Sequence, residues 1–151
     1  MSLLTDLIFV KAIRSNEELM AQLPAGDVYN TSIALPDVDL ENAPIPSVIV
    51  SYEGMQNDED TKDNDFEGDT DRVQIAIEVA AATRPELGRL LVAIRRTVRD
   101  YFMENRGDDS DEDFRLIPED MTPSAGRVSY DPDKPCFWQV LNYACETEID
   151  E

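Results

Sequence analysis

The spacing of hydrophobic residues predicts helices at the start of the chain. Apolar positions three and four residues apart form a stripe that begins at Leu3, and Ser15-Asn16-Glu17-Glu18 predicts the start of a second helix with Ser15 and Glu18 as the capping pair. Pro24 and Gly26 then end the pattern. Two helices, or one kinked helix, should therefore fill residues 2–23.

Alternating and continuous apolar runs predict strands further along. Residues 28–33 form a short strand candidate, residues 47–52 form a buried strand, and residues 72–79 alternate without a fault. The polar segment between the last two cannot supply a crossover, so these strands should pair antiparallel. Residues 114–117 and 126–130 are shorter candidates. Residues 136–146 carry strand formers on both faces, which favours a central strand with one face on a helix and the other covered by another element or a neighbouring subunit.

One long amphipathic helix completes the pattern. Thr83 should cap it, Pro85 lies in its first turn, and it continues to residue 105. Its apolar face should contact the sheet through Leu87, Leu90, Leu91, Ile94, Val98, Tyr101 and Phe102. Its arginines lie largely outside this apolar face. They form either a solvated face with salt bridges to acidic residues or a phosphate-binding site. We predict one α+β domain over residues 1–151: an antiparallel β-sheet of about four to five strands packed against this helix, with N-terminal helices.

Charge limits the partners that the chain can have. It carries 33 acidic and 13 basic residues, a formal net charge of -20, and no histidine. This surface repels phosphates and anionic lipids, so we expect no tight nucleic-acid binding and no membrane association. The N terminus does not resemble a secretion signal, and no stretch is long and apolar enough to span a bilayer. A cytoplasmic protein is the simplest expectation.

The acidity is most concentrated in a loop predicted at residues 55–70. From Glu53 to Asp71 the chain has nine carboxylates and one lysine. Such a loop must project into water or toward a cation or basic partner. We therefore predict an interaction loop whose carboxylates are Asp58, Glu59, Asp60, Asp63, Asp65, Glu67 and Asp69.

Part of this loop matches the opening of an EF-hand calcium site. Asp63, Asp65 and Glu67 are the candidate ligands, and Gly68 is the glycine that such a loop requires at its sixth position. The twelfth position, which needs a bidentate glutamate, is Gln74, and no flanking helices are predicted. The sequence therefore predicts no metal site, and a solvated loop is the interpretation of this segment.

Catalysis has no recognisable basis in the sequence. Without histidine, a serine or cysteine nucleophile would need a lysine or carboxylate as base, and no such pair has a recognisable spacing. Cys136 and Cys145 lie nine positions apart in one predicted strand, so they should face opposite sides of the sheet and not bridge. Trp138 and Tyr143 are interpreted as core or interface residues. We predict no catalytic residues, no cofactor and no enzymatic activity.

The order of these elements resembles the tail-completion or tail-terminator proteins of tailed bacteriophages. A helix pair leads into a short strand at the small-residue turn Ala25-Gly26-Asp27-Val28-Tyr29, and a proline-introduced strand follows at residues 45–50. An excursion, the alternating strand at residues 72–79, the helix at residues 84–105 and a closing strand complete the match. The resemblance covers nearly the whole chain as a pattern, without a signature motif. The acidic loop and the acidic turn after the helix are additions to the family's usual pattern.

This resemblance implies a structural protein of a phage or prophage tail. Such proteins assemble into a ring, commonly a hexamer, at the head-proximal end of the tail, where they stop tube polymerisation and join the tail to the neck. It implies a homo-oligomer with tail-tube and neck proteins as further partners, in the cytoplasm during assembly and then in the virion tail. An acidic lumen would repel DNA phosphates and let the genome pass.

An acidic cytoplasmic adaptor module that responds to calcium is the alternative function. Its working surface would be the loop from Glu53 to Asp71. Calorimetric titration with calcium separates the two hypotheses, because a saturable site that is lost on replacing Asp63 and Asp65 favours the adaptor. An enzyme ranks last.

Overall fold

Three helices and a mixed β-sheet make up the part of the chain that the computed structural model describes, which is residues 5–24, 26–30, 44–57, 70–104, 116–117 and 123–148. The helices are α1 (Thr5–Arg14), α2 (Glu17–Gln22) and α3 (Arg84–Glu104). The predicted N-terminal helix pair and the long helix are thus confirmed. The α+β fold class is confirmed with them.

The capping box predicted for α2 is wrong. Asn16, one residue later than predicted, is the N-cap: its backbone is extended, and its Oδ1 accepts a hydrogen bond from the Leu19 amide at 3.1 Å. Its Nδ2 donates to Oγ1 of the buried Thr97 in α3 at 2.9 Å, so the same side chain also ties α2 to α3. The Ser15 hydroxyl instead donates to the Ala12 carbonyl at the end of α1, at 2.6 Å.

The start of α3 follows the predicted pattern. The amide of Glu86 donates to Thr83 Oγ1 at 3.3 Å, as expected for an N-cap threonine. Pro85 lies at the second helical position, where its missing N–H has no helical acceptor to lose. Only Ala82 and Thr83 separate this helix from the strand before it, so strand and helix are joined by a tight turn.

Seven strands form the sheet in the described part of the chain: β1 (Tyr29–Asn30), β2 (Ser47–Asn57), β3 (Thr70–Ala81), β4 (Leu116–Ile117), β5 (Ser124–Ala125), β6 (Ser129–Asp131) and β7 (Cys136–Glu148). Strands β2, β3 and β7 are neighbours and antiparallel, as predicted for β2 and β3. Strands β4, β5 and β6 pair along the other edge of β7, which makes β7 the central strand that its two apolar faces predicted.

Two features of the sheet differ from the prediction. Strand β1 runs parallel to β2, with Tyr29 opposite Ile49, so the sheet is mixed and not wholly antiparallel. Strands β2 and β3 also extend into the predicted loop at residues 55–70, because their pairing continues to Asn57 opposite Asp71. A register shift between Tyr52 and Gly54, together with a φ of +153° at Gly54, lets β2 bend before this extension.

All three helices contribute to one hydrophobic core on a single face of the sheet. Along β3, Val73, Ile75, Ile77 and Val79 point into this core, as the alternation predicted. Residues 141, 143 and 145 of β7 do the same, and Phe9 of α1 lies between the rings of Phe102 and Tyr143. The described part of the protomer is therefore two layers thick, with helices on one side of the sheet.

Candidate interaction surfaces

The face of the sheet that points away from the helices is the first candidate surface. Because side chains alternate along a strand, the neighbours of the core residues lie on this outer sheet face. We define it by Ile49, Ala76, Glu78, Ala80, Trp138 and Val140. Ala76 is buried and the others are half-buried. None of the described helices covers it.

Glu78 is the charged group at the centre of the outer sheet face. In the sheet register it lies opposite Ile49 on one side and Val140 on the other. Ala76 and Ala80 precede and follow it on the same face of β3. No ion pair of Glu78 occurs within the described ranges. A single carboxylate among apolar and small side chains favours a partner with positive charge at the contact.

The solvent-facing side of α3 is the second candidate surface. Here, Val92 is 48% exposed and Met103 is 58% exposed, which are high values for large apolar side chains. Around them lie exposed arginines three or four positions away, and we define this α3 outer face by Gly88, Arg89, Val92, Arg96, Arg99 and Met103. It therefore combines accessible apolar area with positive charge.

The arginines of α3 show little pairing with acids. Arg99 Nε lies 3.5 Å from Asp100 Oδ1, with both side chains more than half exposed, and such a pair contributes little to stability. The sequence favoured salt bridges between the α3 arginines and acidic residues. Arg84, Arg89 and Arg96 form none within the described part of the chain. Their positive charge is available to a partner.

Gly88 has no steric role inside the described part of the protomer. A Cβ placed on this residue would meet nothing within 4 Å, and the residue is exposed in the second turn of α3. Glycine in a helix interior costs about 1 kcal/mol relative to alanine. The described contacts of one protomer therefore give no reason for glycine at the position one turn before the exposed Val92.

A groove between α2 and α3 gathers negative charge. Its lining includes Glu17, Glu18, Asp100 and Glu104, together with the hydrogen-bonded pair of Asn16 and Thr97. No group of three or more acidic or cysteine side chains within the described ranges has an arrangement that could hold a metal ion. The groove therefore adds to the negative surface of the protein without forming a coordination site.

The predicted interaction loop lies outside the described residues. Its carboxylates, including the candidate ligands Asp63, Asp65 and Glu67, fall within residues 58–69. The loop therefore stays a prediction.

The cysteines do not bridge each other, as predicted. They form no disulfide and both are buried; Cys145 belongs to the core, whereas Cys136 lies on the opposite face of β7. Burial raises the pKa of the Cys136 thiol, and the Asp131 carboxylate raises it further. This thiol is therefore protonated near neutral pH and is a poor nucleophile.

No family model matches the chain, and no curated protein sequence matches it. No helix within the described ranges is long and apolar enough to cross a membrane. The fold and the two surfaces are therefore the basis for inferring a function.

The sequence predicted one of the two surfaces. The two apolar sides of β7 predicted the outer sheet face, whereas the α3 outer face was not predicted, although a glycine inside a helical pattern, Gly88, was a visible signal.

The pH dependence of the free energy of unfolding tests the burial of the Tyr143 hydroxyl in the core. Its hydroxyl is buried and has no hydrogen-bond partner among the described residues, and burial raises its pKa from 10.0 to about 12, partly opposed by Arg95. The raised pKa contributes stability below pH 10 that is lost as pH rises toward 12. Tyr143→Phe should abolish a loss of about 2 kcal/mol in the free energy of unfolding between pH 9 and 12, measured by urea unfolding. Identical pH profiles for the variant and the wild type would contradict the assignment.

Proposed function

We propose that this protein is a ring-forming structural component of a phage or prophage tail, which ends the tail tube at its head-proximal end and joins it to the neck. The observation that carries the proposal is the two-layer fold, in which the described helices cover only one face of the sheet. The outer sheet face presents Trp138 and Val140 from the central strand β7. Copies of the same chain, or a stacked tube, would cover such a surface.

The fold supports the proposal because it has the element order of the resemblance. The helix pair, the short strand, the strands β2 and β3, the long helix α3 and the closing strand β7 follow one another in that order. Homo-oligomers with closed rotational symmetry are the usual way in which identical chains cover such surfaces. The net charge of -20 also suits a lumen through which DNA passes without adhering.

The charge also sets how assembly depends on salt. Repulsion between copies of net charge -20 opposes association at low ionic strength, and added salt screens this repulsion. Local pairs of opposite charge are screened as well. We therefore expect assembly to change with ionic strength, and a basic surface on a tail or neck protein to promote it.

The proposal is tested by the mass and the shape of the purified protein. Light scattering coupled to size-exclusion chromatography at low and high salt should give a multiple of the 17.0 kDa chain, and electron microscopy should show rings. The same measurements are repeated with the tail-tube protein encoded in the same gene neighbourhood. The mass of a single chain in every condition, with and without the tube protein, would overturn the proposal.

A further inference from the structure

We propose that neighbouring copies join head to tail, with the α3 outer face of one copy seated on the outer sheet face of the next. In this contact Val92 lies against the small side chains of β3, and Arg89 and Arg96 approach Glu78. The inference rests on the proposed function, because it names the contact through which the ring would close. The occupant of each surface is a second copy of this chain.

The positions of the two surfaces favour a head-to-tail contact. The outer sheet face points away from the helices, whereas the α3 outer face points away from the sheet, so they lie on opposite sides of a two-layer protomer. Two different surfaces on opposite sides of one chain generate a ring when the rotation between copies closes, and an open filament when it does not. A symmetric dimer would use the same surface twice.

Charge complementarity selects these surfaces over other pairs. Five of the 13 basic residues of the chain lie on α3, at positions 84, 89, 95, 96 and 99. In a protein with a net charge of -20, the α3 outer face can therefore meet a like-charged copy with little repulsion. The outer sheet face offers Glu78 as the matching carboxylate, without an ion pair of its own among the described residues.

Shape points to the same contact. Gly88 and Val92 lie one turn apart on α3, and the missing side chain at position 88 lets another backbone or side chain approach the helix closely. On β3, Ala76 and Ala80 flank Glu78, and both side chains are short. An exposed valine beside a glycine fits against such alanines. The exposed Met103 extends the apolar strip along the helix.

Exchanging the two charges between copies tests the contact. Glu78→Arg and Arg96→Glu should each weaken self-association by about 30-fold or more, because like charges then face each other. A mixture of the two variants in equal amounts should assemble again, since the arginine introduced in the first variant then faces the glutamate introduced in the second, in alternating order. The double variant should assemble on its own. Analytical ultracentrifugation and electron microscopy provide the masses and the shapes.

Matched controls reverse charge away from both surfaces. Lys134→Glu and Asp133→Arg change the net charge by the same amounts in the turn between β6 and β7, outside both defined surfaces, and both should assemble like the wild type. Circular dichroism confirms that each variant is folded. If the wild type assembles and neither the mixture nor the double variant recovers, this contact is wrong while the proposed function stands. If the wild type remains a single chain in every condition, the proposed function fails first.

Discussion

Replacing Phe9 with alanine should lower the free energy of unfolding by about 3–5 kcal/mol, which is a large share of the stability of one domain. The Phe9 ring is 0% exposed, and its centroid lies 5.2 Å from that of Phe102 and 5.1 Å from that of Tyr143. It therefore joins α1 to both α3 and β7. Urea unfolding followed by the fluorescence of the single tryptophan, Trp138, measures the loss.

An exposed aromatic pair provides the control. The rings of Tyr130 and Phe137 are 5.0 Å apart, a spacing close to that of Phe9 and Tyr143, but Tyr130 is 54% exposed. Tyr130→Ala should therefore cost only about 1 kcal/mol. Equal losses for the two substitutions would show that ring contact, and not burial, dominates these pairs, which would contradict our account of the core.

The long elements of this fold were predictable because their patterns repeat. Strand β3 alternates through its central residues, and α3 keeps one apolar face along its length, so many residues agree on each assignment. The cap of α2 was not fixed in this way. Ser15 and Asn16 both suit a helix start, and the choice depended on Thr97, a residue 81 positions away that accepts a hydrogen bond from the Asn16 side chain.

Pairing of the short strands could not be read from sequence for a similar reason. Strand β1 has only two residues, and its parallel direction follows from where the chain returns to the sheet and not from any local pattern. Strand β5, also of two residues, was not predicted at all, and its pairing is fixed by β7 through the partners Asn142 and Leu141. A central strand with two apolar faces was predictable. Its short neighbours were not.

The two surfaces differ in how sequence revealed them. The sequence predicts the outer sheet face because β7 carries apolar residues on both of its sides, and the helices can cover only one of them. The α3 outer face could be identified only from the structure. Arginines are common on solvated helix surfaces, and the sequence does not show which of them form ion pairs within the described part of the chain. Together they give a protomer with one positive face and one carboxylate-centred face on opposite sides.

Substitution of Gly88 by alanine should change stability and assembly in opposite directions. Alanine raises helix propensity, and no atom lies within 4 Å of the added Cβ, so the protomer should gain about 1 kcal/mol in free energy of unfolding. The same methyl group would keep the neighbouring copy from approaching α3, so self-association should weaken by about tenfold or more. Urea unfolding of the dissociated protein and sedimentation of the assembled protein measure the two effects separately.

A second helix-stabilising substitution separates propensity from contact. Asp100→Ala also replaces an exposed residue of α3 with a better helix former, but Asp100 lines the groove formed with α2, whereas Gly88 does not. It should raise stability by several tenths of a kcal/mol and leave assembly unchanged. If Gly88→Ala assembles as well as the wild type while gaining stability, no copy approaches α3 at this position, and the contact must lie elsewhere. Higher stability together with weaker self-association would show that the added methyl group disturbs a contact between copies, because it meets no atom within the described part of one protomer.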